Sequence, residues 1–237
     1  RQQLTALRRE MKAEGIDAYL IPTTDFHGSE YVNEYFKCRE FVSGFTGSAG
    51  TLLVTADWAG LWTDGRYFLQ AADQLRGSGI DLMKEREPDV PTIDEFLMSN
   101  LPEGSCLGFD GRVVSYREAQ GYEEHFKIRW DADLAGRIWE AWGQGESGSR
   151  DEAWGQGENR PELIPSPIYD IPLSVTGESS DSKLNRVRQA MKKKGADMHL
   201  MTSLEEIAWL YNLRGNEVEN TPPVHASATI GREKERR

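Results

Sequence analysis

The segment TDFHGSEY places Asp25, His27 and Glu30 within six residues, a donor set that suits a divalent cation. Metal sites usually draw on more than one element and need a shaped pocket, whereas acidic and histidine side chains in a loop more often cap or solvate it. The trio is therefore read as loop, and no metal is assigned to it. The stretch SGFTGSAGT sets Gly44, Gly47 and Gly50 at even intervals, in the manner of a phosphate cradle. A dinucleotide fingerprint needs G-x-G-x-x-G between a strand and a helix, and a P-loop ends in Gly-Lys-Ser/Thr. These glycines run into a strand instead, so the stretch reads as a tight structural loop. His125, His199 and His225 are scattered, with no HExxH pair, and no GxSxG marks a nucleophile. Cys38 and Cys106 form neither a disulfide framework nor a metal quartet and read as ordinary thiols.

Composition narrows the classes that remain. The chain has 237 residues, 38% hydrophobic and 28% charged, with seven Trp and eight each of Tyr and Phe, enough apolar material for a real core. Lys plus Arg number 28 against 39 Asp plus Glu, a formal charge of -11, which argues against nucleic acid and anionic membrane as partners. No apolar run approaches the roughly 18 residues of a membrane span, and the first residues lack the apolar core of a signal peptide. The expectation is a soluble, cytoplasmic chain.

The elements that must position any site alternate between strand and helix. Leu4, Leu7 and Met11 recur at helical spacing, Gly15 falls where a helix would end, and Ala18 to Ile21 follow as a strand stopped by Pro22. Thr51–Thr55 and Leu61–Thr63 flank a turn and predict a hairpin. The stretch RYFLQAADQLR predicts a helix entered after Asp64, whose carboxylate would cap it, and closed by Gly77. Strands near 80–83, 106–109 and 126–130 alternate with helices starting at the capping boxes of Thr92 and Ser115. This pattern predicts one α/β domain over residues 1–139, a mixed sheet flanked by helices on both faces.

After Trp139 the composition turns to Gly, Ser, Glu and Pro, and EAWGQGE occurs twice, at 140–146 and 152–158. Residues 140–160 are read as a duplicated flexible linker, although Trp142 and Trp154 could also anchor a partner. Residues 161–237 repeat the opening pattern: Leu184, Val187 and Met191 match Leu4, Leu7 and Met11, and Gly195-Ala196-Asp197 matches Gly15-Ile16-Asp17. A third capping box at Ser203 opens a helix, and Val224–Ile230 is a further strand candidate. A second, related α/β domain starts here and is not completed. Its few strands should leave an open sheet edge, with Trp209, Leu210 and Leu213 short of partners.

MKAEGIDAYLIPTTDFHGSEYV, REFVSGFTGSAGTLLVT and LWTDGRYFLQAADQL together resemble the N-terminal domain of cytosolic Xaa-Pro aminopeptidases, the creatinase/aminopeptidase P family. The likeness continues through DADLAGRIW, resumes at NRPELI and extends through KGADMHLMTSLEEIAWLYNLRGNEVENTPPV, covering nearly all of the chain outside 141–158. In that family IWE would run almost directly into NRPEL, so the double AWGQGE stretch is a departure. The resemblance implies two related N-terminal α/β domains and a C-terminal pita-bread domain. There two Asp, one His and two Glu hold a pair of divalent metals, usually manganese, whose bridging water attacks the bond before proline.

By the same resemblance those ligands lie beyond this sequence, so no catalytic residue, metal or cofactor is assigned to the chain. It is expected to be the non-catalytic N-terminal portion of such a metallopeptidase, a hydrolase in its complete form, serving dimerisation and restriction of the active-site entrance. Its expected partners are a second copy of itself, a catalytic domain in the same or a separate chain, and the peptide substrate. The residues carried over as an entrance site are Asp64, Arg66 and Tyr67 of WTDGRYF. A guanidinium there could bind a peptide's carboxylate or carbonyl with two hydrogen bonds, unless Arg66 spends itself on Asp64. The competing expectation is a stand-alone binding or assembly subunit or an inactive paralogue; hydrolysis by unrelated means is a third.

Overall fold

Leu4, Leu7 and Met11 are buried along one stripe of helix α1 (Gln2–Glu14), which ends at Gly15 with φ +67°. The Ile16 amide donates back to the Met11 carbonyl at 2.9 Å, closing the helix and turning the chain into strand β1 (Ala18–Pro22). A computed structural model of the chain describes residues 2–144, 158–218 and 221–232. They fall into two compact units, one of residues 1–30 and 34–162, the other of 31–33 and 163–237.

In the first unit β1 is followed by a 3-10 turn (Glu34–Phe36), α2 (Cys38–Ser43), and the hairpin of β2 (Thr51–Thr55) and β3 (Ala59–Thr63). Then come α3 (Phe68–Gln74), β4 (Asp81–Lys84), α4 (Ile93–Asn100), β5 (Cys106–Gly108), α5 (Tyr116–Glu123), β6 (Lys127–Arg129) and α6 (Leu134–Gly143). The six strands lie in the order β4-β3-β2-β1-β5-β6. The pairs β1/β2 and β2/β3 are antiparallel, while β3/β4, β1/β5 and β5/β6 are parallel, so the sheet is mixed as the alternation predicts.

The central strands are apolar on both faces because both are covered. Tyr19, Ile21, Leu52, Val54 and Leu61 enter one core with Leu7 of α1, Val42 of α2 and Ile138 of α6. Ala18, Leu20, Leu53 and Trp62 enter the other with Leu97 of α4, Phe109 and Phe126. One residue of slip in register would exchange these two sets, which fixes the pairing Leu20↔Leu53. Tyr19 satisfies its buried hydroxyl by donating to the Ala132 carbonyl and accepting from the Leu134 amide.

Two expectations change here. The helix after Asp64 starts only at Phe68, and Asp64 does not cap it. The Asp64 carboxylate is taken by Arg66, and the Asp64 carbonyl accepts from the Tyr67 amide at 3.0 Å in a turn that delays the helix. The linker does not begin at 140, because α6 runs to Gly143 and buries Trp142 to 5% exposure. Ala135, Ile138 and Trp142 share one helical face, and Trp142 meets Phe41 edge-on at 6.0 Å beside the stacked pair Phe41 and Trp139. On the far side Arg160 is buried and donates to Glu140 and Asp133. The second AWGQGE copy up to Gly157, Trp154 included, lies outside the described residues.

The second unit contains β7 (Tyr169–Asp170), α7 (Leu173–Thr176), α8 (Ser180–Lys194), β8 (Met198–Met201), α9 (Leu204–Tyr211), β9 (Leu213–Arg214) and β10 (Ala228–Gly231). The repeat seen in sequence is a repeat in structure. Gly195 sits at φ +68° and the Ala196 amide donates to Met191 at 3.0 Å, the counterpart of Gly15, Ile16 and Met11. The pairs β8/β10 and β7/β9 are antiparallel. Leu210, expected to lack partners, is 0% exposed in a core with Met191, Met201, Ile207 and Ile230, and Leu213 is half-buried; Trp209 remains 47% exposed. Ser203 caps α9 through the Glu206 amide, but its own hydroxyl donates to Glu205, so the reciprocal half of the box is not what holds it.

Candidate functional site

Asp64, Arg66 and Tyr67 follow the end of β3 in a turn where Arg66 is exposed and Asp64 and Tyr67 are half-buried. The Nε of Arg66 donates to Asp64 Oδ1 at 2.9 Å and Nη2 donates to Oδ2 at 2.8 Å, with the Arg66 amide also on Oδ1 at 3.0 Å. These bonds hold the Asp64 carboxyl down at about 2 and raise the guanidinium above its ordinary value. The pairing anticipated as the bland alternative is therefore present, and it uses one edge of the fork. Arg66 is 64% exposed as a side chain, and its Nη1 donates to no protein group among the described residues. The guanidinium also lies 5.2 Å from the centroid of the Tyr67 ring.

The glycine-rich loop at 43–50 supplies the floor of this site. The Ser48 and Tyr67 hydroxyls are 2.6 Å apart, Phe45 meets the Tyr67 ring edge-on at 5.9 Å, and Gln74 accepts from the Thr46 amide at 3.0 Å. Gly47 is needed because a Cβ there would lie 2.2 Å from the Phe45 ring and 2.8 Å from Tyr67. The loop's carbonyls turn inward, to Arg39 from Phe45 and Gly47, to Thr63 from Ala49 and to Thr23 from Gly50. That arrangement binds the loop to the domain through its carbonyls.

Asp25 is buried, and its Oδ1 accepts from the His27 and Ser29 amides at 2.8 and 3.0 Å, the bonding of a turn, while Glu30 is exposed. His125 and His199 are exposed. Within the second unit the Glu217 carboxylate accepts from the His225 amide at 2.5 Å and lies 3.3 Å from its Nδ1. Burial pushes the Cys38 thiol up to about 12 and raises Cys106 as well, against nucleophilic use of either.

Sequence reasoning missed the buried arginines. Arg39 is 4% exposed and touches no carboxylate among the described residues, and Arg160 lies 3.7 Å from the centroid of the Tyr35 ring and donates to the Tyr35 carbonyl and Asp133. Arg112 joins the same network with three side-chain bonds to Asp110 and one to Asp133. Arg39 stands among Cys38, Phe41 and Val42, and that apolar company was the signal available.

The sequence matches the Creatinase/Prolidase N-terminal domain over residues 3–140 and, in a second form of that domain, over 159–236. A probable Xaa-Pro aminopeptidase P of Pyricularia oryzae is 37% identical over 232 residues, which is 96% of this chain and 35% of that protein. Xaa-Pro aminopeptidase 1 of Dictyostelium discoideum is 36% identical over 98% of this chain and 36% of its own length, and Aminopeptidase P1 of Arabidopsis thaliana 37% over 96% and 33%. The crystal structure of a Caenorhabditis elegans X-prolyl aminopeptidase, a cytosolic enzyme with a di-nuclear active site, superposes with a TM-score of 0.82 at 29% identity over 98% of this chain and 37% of that one. This chain thus spans about a third of the length of these relatives. No helix among the described residues is long and apolar enough to cross a membrane.

Proposed function

The chain belongs to the creatinase/prolidase N-terminal family, and from that premise we propose that it is the non-catalytic N-terminal portion of an Xaa-Pro aminopeptidase-like metallopeptidase. The observation that carries the reading is the half-used fork of Arg66. Asp64 fixes one edge of the guanidinium while the other faces solvent, which orients a cation toward an incoming carboxylate or carbonyl without burying it. Arg66 is the contact for a peptide's backbone or C-terminus at the entrance, with Asp64 as its orienting partner and Tyr67 as the ring behind it.

The metal pair of such an enzyme belongs, in this reading, to the length of the relatives that this chain does not span. That reading is supported in the first unit by Asp25 Oδ1, which is committed to its turn, and by Glu30, which is exposed. The C. elegans likeness supports a cytoplasmic setting. In the second unit Met198 and Leu200 of β8 and Val175 are exposed, which favours a covering by the catalytic portion or by a second copy and so supports the dimerisation role.

The test is direct. The purified chain, given manganese and a peptide with proline second, is expected to release no N-terminal residue. Release that a chelator abolishes would overturn the non-catalytic reading.

A further inference from the structure

Arg39 reaches Arg66 through two aromatic rings. The Arg39 guanidinium lies 4.7 Å from the centroid of Phe45, Phe45 meets Tyr67 edge-on at 5.9 Å, and Arg66 lies 5.2 Å from the centroid of Tyr67. The inner cation is 4% exposed and the outer one carries a 64% exposed side chain. All four residues belong to the first unit.

The inner end is fixed by three hydrogen bonds. Arg39 Nε donates to Thr23 Oγ1 at 2.6 Å, Nη1 donates to the Phe45 carbonyl at 2.8 Å, and Nη2 donates to the Gly47 carbonyl. Thr23 in turn donates its hydroxyl to the Gly50 carbonyl at 2.7 Å. Burying a cation against a hydroxyl and carbonyl oxygens is costly unless its donors are met, so the geometry of the loop and the placement of this guanidinium are mutually dependent. A lysine ammonium is a single point of charge and cannot reach a hydroxyl and two carbonyls set out in the plane of a fork.

We propose that Arg39 is a positioning residue for the entrance site: by pinning the carbonyls of Phe45 and Gly47 it sets the Phe45 and Tyr67 rings, and the Tyr67 ring sets the outward edge of Arg66. The proposal rests on the reading of Arg66 as a peptide contact for its functional meaning, but its physical content does not need a peptide. Ser48 is the second tie, since its hydroxyl lies 2.6 Å from that of Tyr67 and fixes the far end of the ring.

The experiment follows the Arg66 Nε–Hε proton in isotope-labelled full chain, with Arg39→Lys and Ser48→Ala as variants. In Arg39→Lys the exchange of that proton with water is expected to accelerate by about two- to thirtyfold, the range that couplings through packed side chains span, while the methyl resonances of Leu52 and Leu61 stay in place. Ser48→Ala, which leaves every Arg39 bond intact, is expected to act in the same direction and less. An Arg39→Lys chain that keeps its core resonances and exchanges Arg66 Hε at the wild-type rate would overturn the proposal. Should Arg39→Lys fail to fold, an unchanged rate in Ser48→Ala overturns it and an accelerated one upholds it. Failure of the peptide reading would show elsewhere, as an Arg66 signal that a proline-second peptide does not move in the wild-type chain.

Discussion

Asp64 holds Arg66 by two parallel hydrogen bonds of 2.9 and 2.8 Å across a single intervening glycine, and leaves Nη1 pointing away from the pair. Two residues this near in the chain hold such a pairing when the turn between them is fixed. Here the Tyr67 amide, on the Asp64 carbonyl at 3.0 Å, fixes it.

The first prediction concerns this pair and pH. The folded-state value of Asp64 lies at about 2, below the ordinary 3.8, because Arg66 favours the charged form. A depressed carboxyl contributes above its unfolded value and loses that contribution as pH falls through the folded one. The pair is therefore expected intact at pH 4 and broken only near pH 2, read as the carboxyl carbon shift of Asp64. A midpoint near the ordinary value would show that the two-point pair does not persist in solution.

Trp142 supplies the second. It is 5% exposed on the apolar face of α6, so Trp142→Ala is expected to cost about 3–5 kcal/mol in the unfolding of the first unit, measured by denaturant titration. A change below about 1 kcal/mol, the scale of a surface substitution, would return the segment to the linker that its composition suggests.

The cysteines give a third. Cys38 is buried with its thiol raised to about 12, and Cys106 is half-buried with its thiol also raised. Under native conditions at pH 8 an aromatic disulfide reagent is expected to label Cys106 first and Cys38 more slowly, and both at once after unfolding; equal labelling of the two in the native chain would contradict the burial of Cys38. Mass spectrometry of the modified peptides reads the order.

A fourth concerns α9. Lys183 is 3% exposed and donates from Nζ to the Trp209 carbonyl at 2.7 Å and to Asn212 Oδ1 at 2.6 Å, closing the C-terminal end of that helix, where Asn212 takes φ +56°. Lys183→Met keeps the stem and removes the donors, and it is expected to cost about 1–3 kcal/mol, seen as loss of amide-exchange protection in 204–211. Unchanged protection there would show that the helix end needs no cation.

The legible part of the fold was the part with strong local grammar. Glycine after Met11 and again after Met191, the boxes at Thr92 and Ser115, and the apolar run at Ala18–Ile21 each encode an element within a few residues, and each element stands where that grammar put it. Strand order was out of reach, since nothing local says that β5 inserts beside β1. Trp142 was misread because composition over a window of Gly and Glu outweighed a helical spacing that began before the window, at Ala135. Of the site, WTDGRYF was visible, but its floor was not. Arg39 and Ser48 lie 27 and 18 positions before Arg66 in the sequence, and it is the fold that brings Ser48 to Tyr67 and Arg39 to Phe45.

The central claim is that Arg66 receives the peptide. It is tested by titrating a proline-second peptide with a free C-terminus into the labelled chain and into Arg66→Ala, following the amides of Ser48 and Tyr67 and, in the wild type, the Arg66 Nε–Hε signal. The account predicts saturable shifts of all three in the wild type and loss of the two amide shifts in Arg66→Ala. Signals that stay fixed at millimolar peptide, or amides that shift equally in Arg66→Ala, would contradict it.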